Sequence, residues 1–155
     1  MSKIAIFPGT FDPFTLGHLS LVERGLRLFD GIIAAIGVNT GKKSIFTAEQ
    51  RLEMISRLFR DNPKVRVKTY SGMTADFAKA EGAGFILRGI RSTGDFEYEK
   101  SIADVNREIS GLETVILFTD TEYSYISSSI VRELWIHGKS IDKFVPENLH
   151  INEYK

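Results

Sequence analysis

Short apolar runs alternate along the sequence with segments whose apolar residues recur every three or four positions. A run that is apolar on both faces is typical of a buried strand, and the three-to-four spacing is typical of an amphipathic helix. These features predict strands at 4–7, 32–38, 65–69, 85–87 and 114–118, each followed by a helix. The third run alternates apolar and polar residues, which places it near an edge of the predicted sheet.

Five strands that each precede a helix predict an α/β fold. We expect a Rossmann-like, doubly wound sheet of five parallel strands, in a single domain that spans residues 1–155. Ligands of such a sheet bind at the carboxyl ends of the strands, near the point where the strand order reverses. The functional residues are therefore expected in the loops 8–18, 39–46, 70–75, 88–95 and 119–129.

The composition narrows the classes of function. The 155 residues include 20 Lys and Arg and 20 Asp and Glu, and the resulting net charge of zero argues against a surface built for nucleic acid or acidic lipid. Cys is absent, which excludes disulfides, thiolate metal ligands and a cysteine nucleophile. The sequence shows no targeting segment and no run of about 18 apolar residues, so we expect a cytoplasmic protein without a membrane partner.

The loop after the first strand combines Gly9, Asp12, Gly17 and His18 just before a predicted helix. The start of a helix offers free N–H groups and the positive end of the helix dipole, which together favour phosphate binding. A tight strand-to-helix turn explains the same residues by folding alone, with Asp12 as a turn residue and His18 as a polar residue of the first helical turn. So many specific residues at one junction favour the functional explanation.

Five basic residues fall in or beside the loops: Lys42, Lys43, Arg88, Arg91 and Arg132. Arginine is suited to forked contacts with phosphate oxygens, and the three serines at 127–129 precede the last long helix. Residues 37–44 lack the glycine spacing of a phosphate-binding P-loop. Structural explanations remain open: a solvated lysine pair, an arginine ion pair with Glu97 or Glu99, and serines that merely cap the helix.

Several motifs resemble one enzyme family. Gly9-Thr-Phe-Asp-Pro13 followed by Thr15-Leu-Gly-His18 is similar to the signature of the nucleotidyltransferases, in which a His usually stands at the position of Thr15. Four further segments are similar to bacterial phosphopantetheine adenylyltransferases: Arg88-Gly-Ile-Arg91, Asp95-Phe-Glu-Tyr-Glu99, Ile126-Ser-Ser-Ser129 and Phe144-Val-Pro-Glu-Asn148. The resemblance spans nearly the whole chain.

The resemblance implies adenylyl transfer from ATP to 4′-phosphopantetheine in coenzyme A synthesis, with 3′-dephospho-coenzyme A and pyrophosphate as products. It implies direct in-line attack without a covalent enzyme intermediate, stabilised by His18 and the loop cations. It also implies Mg²⁺ that arrives with ATP, without metal ligands from the protein. Members of the family are typically hexamers, so we expect a homohexamer.

The resemblance further implies which residues form the site. The catalytic residues are His18, Lys42 and Arg91. The residues that bind 4′-phosphopantetheine are Thr10, Lys42, Thr74, Arg88, Ile102, Asn106 and Glu133. The residues that bind ATP are Thr10, Phe11, His18, Gly89, Ile90, Arg91, Glu99, Tyr123, Ser124, Tyr125, Ile126, Ser127, Ser128 and Ser129. Thr74 stands where the family usually has Met or Leu, and Tyr123 stands where a Trp is common.

Other functions remain as alternatives. A nicotinate-mononucleotide adenylyltransferase or a glycerol-phosphate cytidylyltransferase belongs to the same superfamily, but Thr15 and residues 88–99 argue against both. A non-catalytic nucleotide sensor is expected to have lost His18 or the serine run, and both are present. A nucleic-acid-binding module is disfavoured because the cations cluster in loops rather than along a helix. His137 and His150 lack metal-ligand spacing, so we interpret them as structural or solvent-facing.

Overall fold

A computed structural model describes all 155 residues and contains five β-strands that alternate with five α-helices. The strands are β1 (Ile4–Gly9), β2 (Gly31–Gly37), β3 (Val65–Tyr70), β4 (Phe85–Ile90) and β5 (Glu113–Phe118). The helices are α1 (Leu16–Gly25), α2 (Ala48–Leu58), α3 (Thr74–Ala80), α4 (Thr93–Ser110) and α5 (Ser128–Ile136). Short 3₁₀ turns lie at Thr121–Tyr123, Glu147–Leu149 and Ile151–Tyr154.

The five strands form one sheet in which every neighbouring pair is parallel. The strand order is β3-β2-β1-β4-β5, so the chain builds outward from β1 in one direction and then adds β4 on the other side of β1. This order confirms the predicted Rossmann-like fold and the predicted position of the third strand at an edge. The order reverses between β1 and β4, so a ligand is expected at the carboxyl ends of these two strands.

Alternate residues of the central strands pack on opposite faces of the sheet. Ile6 and Ile33 belong to a small apolar cluster that includes residues of α3, whereas Phe7 and Ile32 belong to a larger cluster. The larger cluster includes residues of α1, α2, α5 and the terminal segment. Strands β1 and β2 are therefore covered on both faces, which explains why their sequences are continuously apolar.

Helix α4 packs differently from the other helices. Four of its apolar residues recur at a spacing that predicts a packed face, but Tyr98, Ile102, Val105 and Ile109 are 39–65% exposed. The only buried residue of α4 is Glu99, which meets Arg88 on β4. The helix therefore packs Glu99 against the sheet and exposes the apolar face formed by those four residues. Although α4 is 18 residues long, neither it nor any other helix has the apolar length that crossing a membrane requires.

Candidate active site

Two open clefts meet above the carboxyl ends of β1 and β4. The first, of about 360 Å³, lies between these strand ends and the starts of α1 and α5, and we call it the His18 cleft. The second, of about 640 Å³, runs from the same place towards the end of β3 and along α4, and we call it the α4 cleft. Six residues line both clefts and form what we call the junction: Pro8, Gly9, Thr10, Lys42, Arg88 and Glu99.

Most of the predicted site residues line at least one of these clefts. In the His18 cleft they are Thr10, Phe11, His18, Lys42, Arg88, Gly89, Arg91, Glu99, Ile126, Ser127, Ser128 and Ser129. In the α4 cleft they are Thr10, Lys42, Thr74, Arg88, Glu99, Ile102 and Asn106. The residues expected to bind ATP thus lie mainly in the first cleft, and those expected to bind 4′-phosphopantetheine lie mainly in the second.

Five predicted residues line neither cleft: Ile90, Tyr123, Ser124, Tyr125 and Glu133. Ile90 is buried at the end of β4. Tyr125 is exposed and its ring lies 6.4 Å from that of Phe144, centroid to centroid. Glu133 lies on α5, where its side chain is largely exposed and borders His137. Tyr123 is half-buried and lines a separate depression beside α1, and Ser124 is exposed, so the two clefts form without these five side chains.

His18 is held at the start of α1 by a reciprocal cap. Thr15 is the N-cap residue, and its Oγ1 accepts a hydrogen bond from the His18 backbone N–H at 3.4 Å. In return, the Thr15 backbone N–H donates to His18 Nδ1 at 2.9 Å. A backbone N–H can only donate, so Nδ1 is the acceptor and a neutral His18 ring carries its proton on Nε2. The cap therefore leaves an Nε2–H group as the free donor of a residue that lines the His18 cleft.

The surroundings of His18 keep its ring uncharged. The rings of Phe7, Phe11 and Phe14 lie 6.0, 5.0 and 5.3 Å from the imidazole, centroid to centroid. Burial among them is the largest cause that lowers the pKa of His18, from 6.5 to about 3, and the positive charges of Arg88 and Arg91 lower it further. His18 is therefore a neutral hydrogen-bond donor near neutral pH and not an imidazolium acid.

Arg88 stands at the junction with its guanidinium fixed on two sides. Its Nε and Nη2 donate to the two carboxylate oxygens of Glu99 at 2.9 and 2.5 Å, and its Nη1 donates to the carbonyl oxygen of Pro8 at 2.7 Å. The ion pair with Glu99 is one of the structural explanations that the sequence left open. It does not remove Arg88 from the site, because Arg88 still lines both clefts.

Arg91 and the serine run join the end of β4 to the start of α5. Arg91 Nη1 donates to the carbonyl oxygen of Ile126 at 2.9 Å. Ser127 is the N-cap residue of α5, since its Oγ accepts from the Ile130 N–H at 3.2 Å. Ser128 donates instead to the loop after β1, so only one serine of the run caps the helix. The first N–H groups of α5, which have no partner within the helix, lie at the edge of the His18 cleft.

Two buried charged residues fix the loop that carries the lysines. The Asp12 carboxylate accepts from the N–H groups of Ile45 and Phe46 at 2.9 and 3.0 Å. Arg51, on α2, donates from Nη1 to the carbonyl oxygen of Thr10 at 2.7 Å. Asp12 thus makes long-range bonds to a second loop, which neither the local turn nor a direct role in ligand binding had led us to expect. Together the two residues hold the loop 39–46 against the loop that follows β1.

Arg51 lies outside the loops expected to carry the site, but the sequence does contain a signal for it. Arg51 shares the inward face of α2 with Met54 and Ile55, and all three are buried. A charged residue in register with the apolar positions of a predicted helix requires buried partners. Backbone carbonyl oxygens at the ends of β1 and β2 are the partners found here, within the loops that carry the site.

The clefts are rich in hydrogen-bond donors and positive charge, which is the chemistry that binds phosphate. Lys42, Arg88 and Arg91 line the His18 cleft beside the starts of two helices. The cleft carboxylates already have partners, because Glu99 pairs with Arg88 and Asp95 accepts from the Arg91 backbone N–H. No three His, Cys, Asp or Glu side chains lie close enough together to hold a metal ion.

Comparison with known proteins agrees with the fold and the motifs. A family model described as cytidylyltransferase-like matches residues 6–134. The phosphopantetheine adenylyltransferase of Bacteroides thetaiotaomicron is 53% identical over 148 residues, which cover 96% of this chain and 98% of that protein. The phosphopantetheine adenylyltransferase of Porphyromonas gingivalis is 52% identical over 145 residues, which cover 94% of this chain and 95% of that protein.

A crystal structure of a bifunctional NMN adenylyltransferase/ADP ribose pyrophosphatase from Francisella tularensis has a similar fold, with a TM-score of 0.75. The similarity covers 96% of this chain and 46% of that one, at 20% sequence identity, so it bears on the fold alone. The assignment of the chain to a family rests on the sequence matches, which confirm the resemblance seen in the motifs. The chain belongs to the phosphopantetheine adenylyltransferases, a family of adenylyltransferase enzymes with a cytidylyltransferase-like domain.

Proposed function

We propose that this chain transfers the adenylyl group of ATP to 4′-phosphopantetheine, giving 3′-dephospho-coenzyme A and pyrophosphate in coenzyme A synthesis. The names of its close relatives support this reaction. The observation that carries the proposal is the pair of clefts that share Thr10, Lys42 and Arg88. Two phosphorylated substrates that enter from opposite sides would place their reacting phosphates at one cationic junction.

ATP occupies the His18 cleft in this proposal. Its phosphates face the starts of α1 and α5, where free N–H groups and the helix dipoles favour negative charge. Arg91 and Arg132 line the same cleft and add positive charge. Mg²⁺ enters as part of the ATP complex and is therefore a component of the substrate.

The acceptor occupies the α4 cleft. Its phosphate reaches the junction, and its pantetheine arm extends along the cleft past Thr74 towards Ile102 and Asn106. An arm that contains methylene groups and amides suits a lining that mixes apolar side chains with Asn106 and Thr74. Glu133 lies outside this cleft, so the proposed contacts of the arm within one chain do not include it.

The transfer is a direct in-line displacement. An oxygen of the 4′-phosphate bonds to the α-phosphorus of ATP, and the bond from that phosphorus to the pyrophosphate oxygen breaks, so the electron pair leaves with pyrophosphate. A phosphate monoester is mostly dianionic near neutral pH because its second pKa is about 6, so no strong general base is required. The protein contributes alignment and stabilisation of charge.

Three residues stabilise the charge that develops during the displacement. The Nε2–H of neutral His18 donates to the α-phosphoryl oxygens without any proton transfer. Lys42 and Arg91, which line the same cleft, balance the negative charge on the attacking and leaving groups. A donor that is fixed before the reaction begins stabilises the transition state more than the ground state, because it needs no reorganisation.

The test is an assay of pyrophosphate release with a panel of substrates. We expect release with ATP and 4′-phosphopantetheine, and at least 100-fold lower kcat/KM with nicotinate mononucleotide or with glycerol 3-phosphate and CTP. Equal turnover with another acceptor would contradict the proposed substrate. ATP binding without pyrophosphate formation in the presence of 4′-phosphopantetheine would favour the nucleotide sensor instead.

A further inference from the structure

Two hydroxyl groups form a hydrogen-bonded pair in the wall of the α4 cleft. The Tyr70 hydroxyl oxygen and Thr74 Oγ1 lie 2.8 Å apart, and both residues line the cleft. Tyr70 is the last residue of β3, and Thr74 is the first residue of α3. Thr74 stands where Met or Leu is usual in the family, and neither of those side chains carries a hydroxyl. The pair therefore makes this part of the wall polar.

The ring of Tyr70 is held in place by packing. It stacks on Phe77 of α3, with the ring centroids 4.7 Å apart and the ring planes at 17°. A Cβ placed on Gly37, at the end of β2, would lie 3.8 Å from the Tyr70 hydroxyl and 3.8 Å from the Gly9 carbonyl oxygen. Gly9 belongs to the junction, so the hydroxyl lies close to the place proposed for the acceptor phosphate. A pair that is fixed before a ligand arrives binds it at a lower cost in entropy.

The pair keeps free hydrogen-bonding capacity although its two oxygens bond to each other. A hydroxyl has one donor and two acceptor lone pairs, and either oxygen of this pair can be the donor. Whichever oxygen donates, the other retains its own O–H proton, so one donor and several lone pairs remain. Neither side chain makes another hydrogen bond within the protein. One donor beside one acceptor is complementary to a ligand that carries a hydroxyl next to a carbonyl group.

We propose that the pair of Tyr70 and Thr74 determines specificity for the acceptor, by hydrogen-bonding the hydroxyl and the adjacent amide carbonyl group of its arm. This inference rests on the proposed function, because it concerns the acceptor that occupies the α4 cleft. In 4′-phosphopantetheine these two groups are the first polar groups of the arm after the phosphate ester, so a phosphate at the junction brings them near the pair. A phosphate ester without them leaves the pair without a ligand partner and is bound less well.

The primary variant is Tyr70→Phe, which keeps the stack on Phe77 and removes one hydroxyl. We expect the Kd of 4′-phosphopantetheine, measured by calorimetry, to rise about 3–10-fold, which is the effect of losing one neutral hydrogen bond. KM for this acceptor should rise by the same factor, with kcat and KM for ATP changed by less than about twofold. Tyr154→Phe, which removes a tyrosine hydroxyl that lines neither cleft, is the matched control and should bind the acceptor as wild type does.

Hexyl phosphate is the probe for the phosphate end alone, because it has neither the hydroxyl nor the amide. Its affinity, measured by competition with 4′-phosphopantetheine, should not fall in Tyr70→Phe. An equal loss of affinity for both ligands would show a general disturbance of the cleft and would overturn the proposal. An unchanged affinity of Tyr70→Phe for 4′-phosphopantetheine would overturn it as well.

Thr74→Val tests whether the two hydroxyls act as one unit. It should also raise the Kd of 4′-phosphopantetheine about 3–10-fold, and the double variant should raise it by less than the product of the two single effects, because each hydroxyl orients the other. Effects that multiply in full would show two independent groups and would contradict a role as a pair.

These affinities require no turnover, so they separate this inference from the proposed reaction. If wild-type protein binds 4′-phosphopantetheine but forms no pyrophosphate with ATP, the proposed function fails while the role of the pair is still tested. If the reaction proceeds and Tyr70→Phe binds the acceptor as wild type does, the inference alone fails. If wild-type protein does not bind 4′-phosphopantetheine, both are overturned.

Discussion

Acid should destabilise this protein in part through His18. The pKa of His18 is lowered from 6.5 to about 3 in the folded chain, first by burial and then by Arg88 and Arg91. Between these pH values the unfolded chain binds a proton on His18 that the folded chain does not. The unfolding free energy therefore falls as the pH drops below 6.5 and stops falling near pH 3. The total loss of unfolding free energy from this one group would be about 4–5 kcal/mol, reached only below about pH 3.

The contribution of His18 can be isolated with His18→Gln, which cannot titrate. Relative to this variant, wild-type stability should fall by about 1.4 kcal/mol on going from neutral pH to pH 5.5, and by about 2.7 kcal/mol at pH 4.5. Urea unfolding curves of both proteins at four pH values between 7.5 and 4.5 provide the measurement. A difference this large is a substantial part of the 5–15 kcal/mol that stabilises an ordinary domain.

A constant difference between wild type and His18→Gln across the pH range would refute the reasoning. In that case folding would not lower the pKa of His18, and burial would not be what keeps its ring uncharged.

Further predictions concern packing, the lysine loop and assembly. Gly89→Ala would drive a Cβ into a methyl group of Leu21 on α1, so we expect a loss of about 1–3 kcal/mol in unfolding free energy and a displaced α1. Gly84→Ala meets no atom within 4 Å and should be close to neutral. Arg51→Met leaves backbone carbonyl oxygens unpaired, so we expect about 1–3 kcal/mol of destabilisation and a higher KM for 4′-phosphopantetheine. Arg60 is exposed on the surface, and Arg60→Met should change neither the stability nor this KM. The predicted homohexamer should sediment at six times 17.4 kDa, and a monomer in that experiment would contradict the prediction.

The fold could be predicted closely from the sequence because its signals are local. The apolar runs of β1 and β2 each involve neighbouring residues, and both strands formed where their patterns indicated. The orientation of the apolar face of α4 could not be predicted in this way. Helical spacing identifies which residues share a face, but the direction of that face depends on the pair between Glu99 and Arg88. That pair joins two elements and has no periodic signal.

The candidate site was predictable as a set of loops, because the carboxyl ends of parallel strands meet at one edge. The hydrogen bonds that join these loops to one another were not predictable. Asp12 bonds to residues 33 and 34 positions further along, and Arg51 bonds across 41 positions to Thr10. Such partners become apparent only when the strands are placed side by side. The tautomer of His18 likewise follows from the geometry of its cap with Thr15, which the motif alone does not specify.

The decisive measurement is pyrophosphate release from ATP and 4′-phosphopantetheine by wild type and by His18→Ala, with ATP affinity determined for both. Loss of one fixed donor to a transition state typically lowers the rate by about 10²–10³-fold. We predict a fall in kcat of this size, with ATP affinity changed by less than about threefold and a folded variant. Wild-type turnover in His18→Ala would contradict the account, because the neutral Nε2–H would then have no part in the transfer.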